Sequence, residues 1–373
     1  MSVYNDIKMR ILASSRFNEF ITHLYKVTTV RMNRQRWTMK TDFKNKQVNT
    51  EPITESQKKE ILAFWSKYQN LGDNICWFDF YNACSDDKSQ LKYFIPDSFF
   101  YRDIDLFFTH SRRSMDIDDK NLYDLYFRDV KMPLSIVRKT FGVLMDKDYR
   151  MIDINNALHL CKEYGKVICK KSCNSSGGAG IRFFDFSTCS DEEFKSWLNG
   201  TDEIIIQEII QQHESLSAIH FNSINTIRIM SLTFDNEVHL LSGVLRMGRD
   251  GAHVDNASSG GIVCGIDENG RLKEFAYNTK GNRWTQHPQG LMFKGYMIPG
   301  YDKCCEQIKS LAGRLVGISK LISWDYAIGI DGQPILIEVN LTYGQVDFHQ
   351  MCNGPIFGNL TESVLSLIYH KNN

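Results

Sequence analysis

The C-terminal part of the chain carries three oxygen-bearing side chains at a spacing that suits a divalent cation. Asp325 and Glu338 lie in two apolar segments, LISWDYAIGI and PILIEVN, joined by the turn residues Asp331-Gly332. A two-residue hairpin turn would place Asp325 directly opposite Glu338, with Asn340 on the same face. Two opposed carboxylates in a half-buried sheet are unfavourable. Mg²⁺ bound by both carboxylates and the amide oxygen, with phosphate oxygens and water, would remove this conflict.

Two other interpretations of this hairpin stay open. The hairpin could lie at an exposed edge where water solvates both acids, or each acid could pair with a lysine or an arginine. The register is also an assumption, because a longer turn changes which residues oppose each other.

A loop rich in glycine and serine follows the predicted strand KVICK at 166–170. Small residues from Lys171 to Gly180 let the backbone approach an anion, so that successive N–H groups can cradle a phosphate. The loop lacks the GxxxxGK[ST] pattern of Walker-type folds and the GxGxxG pattern of dinucleotide folds. Lys170 and Lys171 alternate in direction, so one of them should point into the sheet face, where an ammonium needs an anionic partner.

Two arginines in an earlier predicted hairpin could stabilise charge on a phosphoryl group, because a guanidinium offers bidentate donors. A two-residue turn at 235–236 would place Arg246 opposite Asn225 and Arg228 opposite Gly243. The two arginines would then lie on opposite faces of the sheet. A bulge would break this inference, and either arginine could instead form a surface ion pair.

The elements that position these groups begin with helices. Apolar residues recur at helical spacing at 17–24, and Thr54 with Gln57 predicts a capping box. Asp118 is the predicted cap of a helix that begins near Lys120 and buries Leu122 and Leu125. From about residue 135, strands and hairpins mix with helices near 153–164, 302–319 and 361–369, which predicts an α+β fold.

Composition and charge limit the class of protein. The 373 residues are 42% hydrophobic and 24% charged, with 44 Lys+Arg and 44 Asp+Glu, which argues against a nucleic-acid coat. Residues 1–50 carry ten Lys/Arg and three Asp/Glu, so this segment is +7 and the remainder is −7. The basic segment could dock peripherally on an anionic membrane surface or on a lipid-linked sugar phosphate, although such charge is more often the solvated face of amphipathic helices. The chain shows no signal peptide, no apolar stretch of 18 residues and ten cysteines without a CxxC pair, which predicts a cytoplasmic location.

The order of these motifs resembles the ATP-grasp superfamily, and in particular the sugar-transfer-associated ATP-grasp proteins found among surface-polysaccharide biosynthesis genes. The resemblance covers about residues 115–373 and includes QEIIQQHESL, NTIRI, LRMG…VDNASSGG and HPQGLMFKGYMIP. It implies an ATP-grasp fold in which two α+β subdomains, 116–211 and 212–373, clamp ATP. A mainly helical region, 1–115, would precede them.

The resemblance also implies roles for individual positions. The phosphate-binding residues would be Lys120, Lys171, Ser175, Ser176, Gly177, Gly178 and Gly180. The hinge and ribose contacts would come from Gln207, Glu208, Ile210 and Glu214. The metal ligands would be Asp325, Glu338 and Asn340, and the catalytic residues Arg246, Arg228 and Asn256. The lid departs from the family pattern at Ser172 and Ala179, where many relatives have proline and a basic residue, and this change could reduce phosphate contacts.

The function implied by the resemblance is an ADP-forming ligase that uses ATP and Mg²⁺ to join a carboxylate to an amine through an acyl-phosphate. A sugar acid or amino sugar would be a substrate, and nucleic acid would not be a partner. A sugar or alcohol kinase with the same nucleotide site is one alternative. A non-catalytic ATP-binding subunit of a glycan-assembly complex is another.

Five further residues could contact a substrate. His213 and His287 could bind it or transfer a proton, although a structural histidine is the commoner case. Trp284, Phe293 and Tyr296 could stack on a sugar, although aromatic residues at this density more often belong to a core.

Overall fold

Two antiparallel sheets organise the chain in a computed structural model, which describes residues 49–110, 113–114, 117–173, 180–251, 255 and 260–370. The first sheet contains β1 (Ser135–Thr140), β2 (Val143–Asp146), β3 (Lys166–Lys171), β4 (Arg182–Asp185) and β5 (Ile204–Glu208). Its strand order is β2-β1-β5-β3-β4.

The second sheet is larger and contains the predicted hairpins. Its strands are β6 (Thr226–Phe234), β7 (Glu237–Met247), β8 (Ile262–Ile266), β9 (Leu272–Tyr277), β10 (Arg283–Trp284), β11 (Leu321–Ile328) and β12 (Pro334–Asn340). Their order is β10-β9-β8-β7-β6-β11-β12. The strand that bears Asp325 therefore lies between the strands that bear Arg228 and Glu338.

The longer helices flank these sheets. They are α1 (Glu55–Trp65), α2 (Cys76–Cys84), α3 (Ile154–Glu163), α4 (Asp191–Asn199), α5 (Tyr301–Leu315), α6 (Val346–Asn353) and α7 (Thr361–Tyr369). Shorter helical turns include Lys88–Tyr93, Asp97–Phe99, Phe100–Ile104, Asp105–Phe108, Lys120–Leu122, Tyr123–Tyr126 and Glu214–Ser217. Among the described residues, no helix is both long and apolar enough to cross a bilayer.

One face of the first sheet is packed against α3 and α4. Val167 and Cys169 of β3 and Ile204 and Ile206 of β5 point into this core. Because side chains alternate along a strand, Lys170, the residue after Cys169, points to the opposite face. On that face, Lys170 lies close enough to Glu338 of the second sheet to be influenced by its charge.

The second sheet is covered on both faces. On one face, α5 packs against alternate residues such as Ile229 and Trp324. On the other, Met230 and Val244 share a core with α1, α2, α6 and α7. The described part of the N-terminal helical region thus packs directly on the sheet that carries Asp325. The exact division into 1–115, 116–211 and 212–373 stays a prediction.

Helix starts follow the sequence signals closely, with one error. Both bonds of the Thr54–Gln57 capping box form. The predicted cap Asp118 is wrong, because Asp119 accepts the capping bond from Asn121 at the helical start at Lys120. The predicted buried face is wrong too: the buried apolar residues are Tyr123 and Phe127, whereas Leu122 is half-buried and Leu125 is exposed. The helix predicted at 17–24 lies outside the described residues.

Candidate functional site

The β11–β12 hairpin places Asp325 opposite Glu338, as predicted, but by a different route. The N–H of Gly329 donates to the carbonyl of Gln333, so the loop has three residues instead of two. This loop shifts the register by one residue. A bulge that leaves Ile337 unpaired shifts it back before Asp325 is reached. The pairing is confirmed, and the assumed turn is wrong.

Asp325 is buried between two guanidinium groups. Arg228 binds both of its carboxylate oxygens, with Nε–Oδ1 and Nη2–Oδ2 distances of 2.6 Å each. Nη1 of Arg246 donates to Oδ2 at 3.2 Å. The three residues are only 3% to 7% exposed. Burial alone would raise the pKa of Asp325, but the two arginines outweigh it and lower that pKa, so the carboxylate is charged at neutral pH.

The prediction that Arg228 and Arg246 lie on opposite faces is wrong. The turn at 235–236 has two residues, but a bulge at Leu241 shifts the register further along the hairpin. Arg246 therefore opposes Thr226, two residues from Arg228, and both arginines lie on one face. They act on the same carboxylate, so one site can use both.

Glu338 lies near two lysines, Lys120 and Lys170, on the side of the first sheet. We call the space between these lysines and the second sheet the cleft. Nζ of Lys120 lies 2.8 Å from Oε1 of Glu338. Lys120 is held in place because its backbone N–H donates to the carbonyl of Ser172, at the end of β3. Burial, the neighbouring Lys120 and the opposing effect of Glu338 set the pKa of Lys170 at about 8, below the ordinary lysine value. The acids thus pair with basic groups, which was one of the alternatives for the hairpin.

Lys170, and not Lys171, points toward this cluster. Lys171 pairs with Ile204, whose side chain belongs to the helix-covered core, so Lys171 lies on the other face of the sheet. Its side chain is exposed and runs beside Gly180, where an added Cβ would come within 3.3 Å of Lys171 Cγ. The geometry favours Lys170 as the lysine that enters the cleft.

The hinge residues are held mainly by bonds within the protein. Nε2 of Gln207 donates to the carbonyl of Pro133 at 3.3 Å, and Oε1 of Glu208 accepts from the N–H of Leu134. Ile210 is half-buried and Glu214 is exposed at the start of a short helix. The predicted lid residues Ser175, Ser176, Gly177 and Gly178 and the predicted catalytic residue Asn256 lie outside the described residues. Their roles stay predictions.

Several buried polar atoms around the cluster lack a hydrogen-bond partner among the described residues. They include both side-chain polar atoms of Asn121, Oγ of Ser172, Nε of Arg246 and Oδ2 of Asp255. Buried polar groups are nearly always satisfied in a native protein, so these atoms are available to a ligand or to water.

Two carboxylates and one amide fit a magnesium ion in their chemistry. Nδ2 of Asn340 is buried without a well-formed hydrogen bond, although the residue lies close enough to Asp325 to lower its pKa. A half-turn of this amide would present Oδ1, an oxygen ligand that Mg²⁺ prefers. The part of the chain that the structure describes contains no cluster of three or more His, Cys, Asp or Glu residues that could hold a metal. A site here therefore needs Asn340 or ligand oxygens as well as Asp325 and Glu338.

The segment that follows Asn340 is held in an unusual conformation. Tyr343 and Gln345 both have positive φ angles, 60° and 61°, which non-glycine residues rarely adopt. The N–H of Tyr343 donates to Asp105 at 2.9 Å, and Oε1 of Gln345 accepts from Arg228 at 2.7 Å. Strained backbone persists where the surroundings enforce it, often next to a functional site.

Gly344, between those two residues, has no room for a side chain. An added Cβ would overlap Oγ of Ser323 and lie 2.8 Å from Cε of Met230. Gly344→Ala is therefore expected to lower the free energy of unfolding by about 1–3 kcal/mol in urea titrations. The control Gly313→Ala, inside α5 with nothing within 4 Å, should raise it by about 0.5–1 kcal/mol. Equal effects of the two substitutions would contradict the close packing at Gly344.

Both histidines singled out in the sequence have structural roles. Nε2 of His287 bonds the carbonyl of Gly248 at 2.9 Å, and its Nδ1 accepts from the N–H of Gln289 at 3.2 Å. His213 caps a short helix by accepting from the N–H of Ser215. Neither ring nitrogen of His287 is left for substrate.

Sequence reasoning missed Gln345 and Asp255, which extend the cluster around the arginines. Asp255 accepts from Nη2 of Arg246 at 3.2 Å. No local pattern marks either residue, because both come from loops whose paths depend on tertiary packing. The strand pattern could not choose between Lys170 and Lys171, because Ile168 is as apolar as its neighbours Val167 and Cys169.

Comparisons with known proteins agree with the sequence resemblance. Residues 104–365 match the family model described as sugar-transfer associated ATP-grasp. A comparison with curated proteins finds no match. Similar solved structures include the ATP-grasp ligase PsnB complexed with minimal precursor, at 16% identity and a TM-score of 0.40, covering 69% of this chain. This chain spans 63% of the PsnB chain, less than two thirds of its length.

Two other solved structures show a similar degree of likeness. D-alanyl-alanine synthetase A from Vibrio cholerae O1 biovar eltor str. N16961 is 10% identical, with a TM-score of 0.40, and the match covers 69% of this chain and 68% of that one. D-cycloserine synthetase DcsG is 13% identical, with a TM-score of 0.39, covering 68% and 71%. The family model spans more than half of the chain, and it confirms both the predicted family and the predicted α+β ATP-grasp fold. This chain belongs to the sugar-transfer-associated ATP-grasp family.

Proposed function

We propose that the protein is an ATP-dependent, ADP-forming ligase that joins a carboxylate to an amine through an acyl-phosphate. The substrate class that we favour, following the sugar-transfer association of the family, is a sugar acid or an amino sugar used in surface-polysaccharide assembly. The proposed cofactors are ATP and Mg²⁺, and the proposed location is the cytoplasm.

One observation carries this proposal. Lys120 and Lys170 approach from the first subdomain, Arg228 and Arg246 lie on the second, and all of them converge on the opposed carboxylates Asp325 and Glu338. Basic groups on both sides of a cleft suit a triphosphate, and carboxylates between them suit the cation that accompanies it.

Each residue would have a role that follows from its position. Lys120 and Lys170 would bind phosphate oxygens, and Lys120 would exchange its bond to Glu338 for a bond to phosphate. Arg246, whose Nε is unpaired among the described residues, would donate to the transferring phosphoryl group. Each nitrogen of Arg228 already donates to Asp325 or Gln345, so Arg228 would orient the carboxylate. Asp325, Glu338 and Asn340 would hold Mg²⁺, whose positive charge would offset the negative charge of the phosphates.

The test is a screen of carboxylate and amine pairs with the full chain, MgATP and measurement of released ADP and product mass. We expect ADP only when carboxylate, amine, ATP and Mg²⁺ are all present. The product mass should equal the sum of the two substrates minus water. Glu338→Gln should lower the rate about 10²–10³-fold, because a carboxylate that would bind the cation is lost.

The matched control is Glu60→Gln. Glu60 pairs with Lys92 at the surface and is about half exposed, so its charge is remote from the cleft. The rate of ADP release by the Glu60→Gln variant should remain near that of the unmodified protein. Release of AMP, or a product that has gained a phosphate, would contradict the ligase proposal, and a phosphorylated sugar would indicate a kinase. ATP binding without turnover for every pair would favour the non-catalytic alternative.

A further inference from the structure

The three aromatic residues that the sequence suggested for sugar stacking pack against the core that includes α5. Phe293 is fully buried there, Trp284 packs beside it, and the hydroxyl of Tyr296 donates to a backbone carbonyl. The aromatic contact that adjoins the arginine cluster is a different one, between Tyr101 and Tyr343.

The segment 341–346, which directly follows Asn340, contacts Arg228 through one side chain. Oε1 of Gln345 accepts from Nη1 of Arg228 at 2.7 Å. The other two nitrogens of the guanidinium, Nε and Nη2, donate to Asp325. Because a guanidinium is planar and rigid, a bond to its remaining nitrogen fixes how it presents the other two to the carboxylate. Gln345 therefore restricts the orientation of Arg228 and, through it, that of Asp325.

The backbone of this segment has a conformation that its own residues do not favour. Tyr343 and Gln345 have φ angles of 60° and 61°, in the left-handed region that costs free energy for any residue with a Cβ. Gln345 is also the residue before α6, and its side chain makes no capping bond to that helix. Such a conformation persists only where the surroundings impose it, so contacts from other parts of the chain must hold the segment in place.

Those contacts come from the N-terminal helical region. The hydroxyl of Tyr101 accepts from the N–H of Val346 at 3.1 Å, and Oδ2 of Asp105 accepts from the N–H of Tyr343 at 2.9 Å. The rings of Tyr101 and Tyr343 stack with 5.7 Å between their centres. Tyr101 and Asp105 are each only 4% exposed, so water does not compete freely for these bonds. The two acceptors hold the backbone at both ends of the strained stretch.

The same region is also attached at the start of the segment and beyond its end. Oγ1 of Thr109 donates to the carbonyl of Leu341 at 2.9 Å. The side-chain amide of Gln350, in α6, donates to the carbonyl of Ile95 and accepts from its N–H, both at 2.9 Å. All four residues are buried. These bonds fix the helical region relative to the whole segment.

We propose that Gln345 is a positioning residue that orients Arg228 and, through it, Asp325. Tyr101 and Asp105 of the N-terminal helical region hold Gln345 in the conformation that this requires. The helical region thus supports the site through the backbone of residues 343–346. The inference rests on the proposed function, because it takes Asp325 as a ligand of Mg²⁺, but its test needs no acceptor substrate.

The experiment is calorimetric titration of the full chain with the ATP analogue AMPPNP, once with Mg²⁺ and once with EDTA. The dissociation constant in EDTA divided by that in Mg²⁺, here called the metal ratio, measures what the cation adds to binding. Gln345→Met should reduce the metal ratio about tenfold, because Arg228 loses a bond that orients it, and should leave the affinity in EDTA unchanged. A general loss of structure would lower both affinities. The matched control is Gln286→Met, which replaces an exposed glutamine bonded to Gly290 and should keep the metal ratio.

A pair of variants at Asp105 tests the contribution of the helical region. Asp105→Leu removes the acceptor for the N–H of Tyr343, whereas Asp105→Asn keeps an oxygen there. Burial raises the pKa of Asp105 to about 7, so an uncharged amide is a close substitute near neutral pH. Asp105→Leu should reduce the metal ratio about tenfold, and Asp105→Asn should stay within about twofold of the unmodified value. Tyr101→Phe, which removes a single hydroxyl, should reduce the ratio about threefold and replaces Asp105→Leu if that variant does not fold.

Three results would overturn the positioning role. They are an unmodified metal ratio in both Gln345→Met and Tyr101→Phe, an equal fall of the affinities in EDTA and in Mg²⁺, or no gain from Mg²⁺ in the unmodified protein. The outcomes for the two proposals are separable. A reduced metal ratio in these variants, with no amide formed from any substrate pair, would leave the positioning role standing and remove the ligase. Amide formation with an unchanged ratio in the variants would do the reverse.

Discussion

Asp325→Asn is expected to lower the free energy of unfolding by about 3–5 kcal/mol, the range observed when one member of a buried ion pair is removed. The carboxylate is 3% exposed and accepts three hydrogen bonds from Arg228 and Arg246. Asparagine has nearly the same shape but no charge, so the two guanidinium groups would stay buried, and Arg228 would lose its only carboxylate partner among the described residues. Urea unfolding at pH 7 measures the difference directly.

The matched control is Asp331→Asn in the loop of the same hairpin. Asp331 pairs with Lys131 at 2.6 Å, but both side chains are about half exposed, at 49% and 48%. Water and salt screen such a pair, so the loss should be much smaller than that of Asp325→Asn. Similar losses for the two variants would contradict the buried character of the Asp325 cluster.

The pH dependence of the first variant follows from the lowered pKa of Asp325. A lowered folded-state pKa means that the stabilisation is complete above the unfolded value of about 3.9 and is lost as pH falls through the lower folded value. The difference between the unmodified protein and Asp325→Asn should therefore be constant near neutral pH. It should shrink only below about pH 4.

Lys170→Met is expected to lower ADP formation about 10²–10³-fold, whereas Lys171→Met should leave it near the unmodified rate. The two lysines are adjacent and chemically identical, so each is the control for the other. Lys170 points to the face where Lys120 and Glu338 lie, and Lys171 points to the helix-covered face and is exposed. A large loss for Lys171→Met with normal activity for Lys170→Met would show that the sequence resemblance had assigned the correct lysine.

The same pair of variants gives a test that does not need the acceptor substrate. With a pKa of about 8, Lys170 is about half protonated at pH 8 before phosphate binds. Phosphate oxygens favour the charged form and raise that pKa, so binding of MgATP at pH 8 should take up about half a proton. Calorimetry in two buffers with different ionisation enthalpies measures this uptake. It should disappear in Lys170→Met and persist in Lys171→Met.

Local sequence patterns were enough to predict many of the helices and hairpins and much of the chemistry. Turn residues located the hairpins, the Thr54–Gln57 pair located the start of α1, and the helix expected at 361–369 is α7. These features depend on a few neighbouring residues, so local patterns predict them well. The order of the motifs was also sufficient to predict the family.

The way the charged groups come together depends on tertiary packing. The bulges at Leu241 and Ile337 each shift a register by one residue, and no turn sequence marks them. The bulge at Leu241 brings Arg228 and Arg246 to one face, which a regular hairpin would have prevented. The bulge at Ile337 keeps Asp325 opposite Glu338. A bulge forms when packing on both sides of a sheet outweighs regular pairing, and that balance involves residues far apart in the chain. For the same reason, the sequence supplied two adjacent lysines, and only the packing of β3 on α3 and α4 directed Lys170 toward the cleft.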